Sequence, residues 1–117
     1  MLLAAILLLS VQEDDNPVLA DYVTCVVHQV EKLYKTPEPA NNVARTAMHG
    51  CQDKESGLKA SVRDDLTTDL VKGGMSVHDA ELAANKQMDD GWAEYMLNLE
   101  HNTEETILRF RARLQQR

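Results

Sequence analysis

The sequence is poor in aromatic residues, with one tryptophan, one phenylalanine and three tyrosines among 117. Its hydrophobic content is nonetheless 44%, near the ordinary globular share. The core must therefore be built from alanine, leucine and valine in thin stripes, which suits helices packed side by side. β-Branched runs are short, and the clearest, Val26-Val27, sits inside a helical pattern. No internal repeat and no low-complexity tract is present, so solenoids and fibrous arrays are set aside.

Basic excess is also missing. The net charge is −7, from 19 acidic and 12 basic residues, whereas nucleic-acid binding calls for a basic surface that neutralises phosphates and releases counterions. The positive charge present is crowded at the C-terminus in Arg109, Arg111, Arg113 and Arg117. A cationic helix end complementing the macrodipole accounts for it; a docking patch for an acidic partner or membrane surface is the sharper alternative.

Long apolar runs are lacking as well. The longest is Leu2 to Leu9, and eight helical residues cover only ~12 Å against a hydrocarbon core of ~30 Å. No stable membrane span is expected. Residues 1–12 read instead as a signal peptide, with Ser10 the best small residue before a cut, although no Lys or Arg precedes the run and no A-x-A site follows it. The competing reading retains this segment as an apolar helix that packs into the protein's own core or a partner's groove.

Catalytic signatures are absent: no G-x-S-x-G, S-x-x-K, P-loop or H-E-x-x-H occurs. Paired acids at Asp14-Asp15, Asp64-Asp65, Asp89-Asp90 and Glu104-Glu105 diverge by about 100° on a helix, so a solvated face explains them better than an acid–base pair. Asp14-x-Asn16 is too sparse for an EF-hand loop. No enzyme activity and no cofactor is expected.

What is present is helical punctuation. Asn16-Pro17 supplies an N-cap and a first-turn proline, and Leu19, Tyr22, Val23, Val26, Val30 and Leu33 then recur at three- and four-residue steps. Lys32 and Lys35 mark the end, and Pro37 stops the helix. A second helix is expected from Pro39 to the Gly73-Gly74 stop, weakened by Gly50 and Gly57, with Ser56-Gly57 the place for a break. Ser76 and Asp79 resemble a capping box for a third, long helix carrying Trp92, Tyr95, Ile107 and Phe110, in which polar His101-Asn102-Thr103 marks a bend or a second break. The expected fold is all-α, an elongated antiparallel three-helix bundle forming a single helical domain over residues 13–117.

Cys25 and Cys51 lie thirteen residues either side of Glu38, in the Thr36-Pro37-Glu38-Pro39 turn. Folding two helices back at that turn brings the sulfurs to one height, where a disulfide clamps the hairpin and adds ~3 kcal/mol. Cys25-x-x-His28 and His49-x-Cys51 also suggest a zinc site, but residues two apart on a helix diverge by about 200°, so four ligands do not converge. No metal is expected, and His28 and His49 are read as polar residues at the hairpin edge.

Together these features describe a non-enzymatic, exported helical binding or adaptor protein, periplasmic or secreted. It takes a protein partner or self-associates through Trp92, Tyr95, Ile107, Phe110, Arg109 and Arg113. The alternative is a structural subunit of a larger assembly, such as a virion or secretion apparatus, that keeps its apolar N-terminus.

Overall fold

A computed structural model describes residues 16–116. The apolar segment 1–12, with its expected cleavage, and Arg117 lie outside the described residues. Four helices follow in order, α1 (Pro17–Leu33), α2 (Ala40–His49), α3 (Gln52–Lys72) and α4 (Val77–Gln115), and no strand occurs among the described residues. No described helix is long and apolar enough to cross a membrane.

Asn16 caps α1 as its sequence position implies: its side-chain oxygen accepts from the backbone N–H groups of Val18 and Leu19, both at 3.0 Å. The same oxygen accepts from Ser61 Oγ at 3.1 Å, while its amide donates to Asp65 Oδ2 at 2.9 Å. The cap is thus also a tether from α1 to α3, and Asn16 is almost fully buried.

The expected three helices are corrected to four, because the second breaks at Gly50–Cys51 and not at Ser56-Gly57. The last α2 bond runs from Gly50 N–H to Thr46 O, and α3 restarts with Lys54 N–H on Cys51 O. A Cβ on Gly50 would stand 3.1 Å from the Gln29 side chain, so the glycine lets α1 approach closely here. Cys51 leaves helical geometry and is fully buried, bonded to Cys25 across a Cα separation of 6.1 Å. Gly57 has nothing within 4 Å of the same position and is carried inside the ladder of α3 at a propensity cost of ~1 kcal/mol.

The second break expected at His101-Asn102-Thr103 does not occur, and α4 runs unbroken from Val77 to Gln115. Thr103 Oγ1 donates to Leu99 O at 2.7 Å and Thr106 Oγ1 to Asn102 O at 3.0 Å, so these hydroxyls find their partners on the helix itself. At 1.5 Å per residue α4 runs ~58 Å, and the molecule measures 56 × 24 × 21 Å. Ser76 caps it, accepting from Asp79 N–H at 3.2 Å.

Cross-helix bonds give the layout. Lys54 reaches Asp21, Arg45 reaches Glu100, and Arg111 reaches Tyr34, so α1 and α4 run in parallel against the reversed α2–α3 arm. The core gathers Tyr22, Val26 and Val30 from α1, Ala44 and Ala47 from α2, Leu58 and Val62 from α3, and Tyr95 and Ile107 from α4. Each fully buried Val, Leu or Ile stabilises the fold by ~1.5–3 kcal/mol. The α2–α3 arm packs closely on α4, whereas α1 meets α4 more sparsely than it meets α2 or α3.

Candidate functional site

That uneven packing leaves a groove between α1 and α4. The apolar stripe of α1 is wider than one contact needs: Tyr22, Val26 and Val30 face the core, while Val23 and Val27, one step around the helix, are only half-buried. They form one wall, and Leu99, Asn102, Thr103 and Thr106 of α4 form the other. The groove encloses about 220 Å³. From Tyr22 to Val30 it is ~12 Å long, about two helical turns.

Beneath it sit two buried tyrosine hydroxyls, Tyr22 Oη and Tyr95 Oη, neither with a hydrogen-bond partner. Burial pushes both up to about 12, with the Glu55 carboxylate and Tyr95 adding to the effect on Tyr22. Both hydroxyls therefore stay protonated at neutral pH, far from the range in which a general acid or base works best.

The residues expected to meet a partner do not form one surface. Tyr95 and Ile107 are buried in the core at 2% and 0% exposure, where they support α4 from within. Trp92 is half-buried, stacked on Tyr95 with centroids 5.1 Å apart and with Lys59 Nζ 5.8 Å over its ring. Phe110 lies ~27 Å further along α4. It packs edge-on against Tyr34 with ring centroids 5.3 Å apart, and the Arg113 guanidinium stands 5.7 Å from its centroid. Phe110, Arg113, Tyr34, Glu31 and Leu114 line a second cleft of about 230 Å³. Arg109 is exposed.

Sequence reasoning passed over both Arg111 as an anchor and the polar wall of the groove. Val27, four residues after Val23 and outside the stripe already counted, was the signal available for the other wall. The thiols are joined, with no free cysteine among the described residues, so the Cys25/His28/His49/Cys51 constellation holds no thiolate for zinc. Among the described residues no cluster of three or more His, Cys, Asp or Glu is placed to hold a metal.

Comparison with protein-family models, curated proteins and solved structures gave no match. The functional reading therefore rests on the geometry of this chain.

Proposed function

We propose that this chain is a non-enzymatic helical binding protein of an oxidising compartment, periplasmic or extracellular, that seats an apolar helical segment of a protein partner between α1 and α4. The observation that carries the reading is the groove, with half-buried Val23 and Val27 along one wall. Both walls are helices whose backbone groups are bonded internally, so the groove offers no ladder to an extended peptide. The occupant must bring its own satisfied backbone, which selects a helix over a strand. The disulfide supports an oxidising location. The net charge of −7 favours a neutral or basic partner segment.

A photo-crosslinking residue placed at Val27 or Thr106, in protein kept in its native compartment, tests this. Adducts from both positions that map to one apolar helical segment of a partner, with none from exposed Lys86, are expected. Equal adducts from all three positions, or none from Val27 and Thr106, would overturn the reading. The second reading, a structural subunit of a larger assembly, is favoured by the exposed apolar side chains Met75 and Val77 at one end of the rod.

A further inference from the structure

The two ends of the rod are unlike, and each carries apolar surface. At one end α3 stops in a Schellman turn: Gly74 N–H donates to Val71 O at 3.0 Å and Met75 N–H to Leu70 O at 3.1 Å, with Gly74 at φ +109°. That hydrogen-bonded turn holds Val71, Met75 and Val77 in place while leaving them 37%, 43% and 59% exposed. At the other end, ~50 Å away along α4, Tyr34 and Phe110 floor a cleft that Leu114 borders at 38% exposure. Arg111 pins the loop beneath it through three carbonyls, so this surface is preorganised as well.

The ends also differ in charge. At the aromatic cleft Arg113 lines the wall with Glu31, and Lys35 Nζ stands 5.7 Å over the Tyr34 ring, so basic groups outnumber the one acidic group. Exposed Asp69 and Asp79 outnumber Lys72 beside the glycine turn. A methionine between aliphatic neighbours suits an aromatic floor, since its flexible thioether adapts to ring edges. Opposite charges around the two patches favour tip to cleft and oppose like ends meeting.

We propose that the protein associates head to tail with further copies of itself, the Val71–Met75–Val77 tip of one copy seated in the Tyr34–Phe110–Leu114 cleft of the next. Because the two patches are different, the contact is heterologous and each added copy presents a fresh end, so association continues past the dimer. The end face is set by the 24 × 21 Å cross-section; covering it on both copies removes roughly 1,000 Å² from solvent, at the low margin of specific interfaces. Association is therefore weak, growing with concentration and fading with salt.

Sedimentation of the full chain over a wide concentration range, at low and high salt, reads this directly. The average mass should climb with concentration and climb less in high salt. Met75→Asp and Leu114→Asp, both at exposed positions, should each stay monomeric while keeping the wild-type circular dichroism. Mixed in equal amounts they should form dimers and nothing larger, since the intact tip of one fits the intact cleft of the other. A monomer throughout, wild-type association by either variant, or a mixture that stays monomeric would overturn the proposal. Neither variant touches the α1–α4 groove, so crosslinking at Val27 reports on the partner site independently.

Discussion

The guanidinium Nε of Arg111 donates to the backbone carbonyl of Tyr34 at 2.8 Å, joining residues 77 positions apart. Its Nη2 also donates to Thr36 O at 3.0 Å and Glu38 O at 2.7 Å. One side chain from α4 thereby collects three alternate carbonyls of the α1–α2 connection, and one of them, Tyr34 O, lies at the C-cap of α1. Helix ends leave such carbonyls without intrahelical partners, and a charged donor satisfies them with stronger bonds than a neutral one.

Arg111→Ala should therefore destabilise the fold by about 2 kcal/mol, from the loss of charge-assisted bonds to a half-buried turn. Arg111→Lys should recover only part of that, because an ammonium lacks the planar fork that spans separated carbonyls. Arg113→Ala, at an exposed position, should stay within ~0.5 kcal/mol of wild type. Urea unfolding of the three variants checks the ranking. Equal stability of Arg111→Ala and Arg113→Ala would remove the anchor from the account of this end.

Tyr22 and Tyr95 give the fold an alkaline limit. Burial holds both hydroxyls protonated up to about 12 in the folded state, while a tyrosine in the unfolded chain ionises near ~10. The folded state thus binds more protons between those values, and stability present in full below pH ~10 is lost as pH rises towards 12. Tyr22→Phe removes a buried hydroxyl that has no partner, so it should be neutral or slightly stabilising at pH 7 and should flatten the alkaline loss. Chemical denaturation at stepped pH, with tyrosinate absorbance followed in parallel, measures both. A Tyr22→Phe variant that loses more than 1 kcal/mol at pH 7 would mean that the hydroxyl has a bonding partner in solution.

Local signals were legible in the sequence and non-local ones were not. The Asn16-Pro17 cap, the Ser76–Asp79 cap and the Gly73-Gly74 stop depend on neighbours within a few residues, and each stands where the pattern put it. The break in the second helix was misjudged because Gly50 and Gly57 carry the same intrinsic weakness. What separates them is tertiary: Gly50 faces Gln29 across a close approach, and Cys51 turns inward to its disulfide. The polar His101-Asn102-Thr103 stretch suggested a break, but a helix tolerates polar side chains on its exposed side, and His101 and Asn102 are both exposed there. The contact surface suffered most. A heptad-like stripe on α4 does not tell which turns the other helices cover, and Tyr95 and Ile107 fall under cover while Phe110 emerges at the end.

The redox state of the Cys25–Cys51 pair in protein from its native location is the test between the exported and the retained readings. The bond closes a sequence separation of 26 residues, which in the chain-entropy model stabilises the folded state by about 3 kcal/mol. Reduction, or the pair Cys25→Ser with Cys51→Ala, should lower the unfolding midpoint accordingly; alanine is chosen at the fully buried position 51 so that no hydroxyl is left without a partner. The compartment is read from intact mass. Protein taken from its native location should alkylate only after reduction, and a cleaved signal peptide would leave it lighter by about ten N-terminal residues. Thiols that alkylate freely, with the first methionine retained, would place the chain among reduced proteins. The apolar N-terminus would then belong to the working molecule, and the assembly reading would take precedence over the exported binding protein.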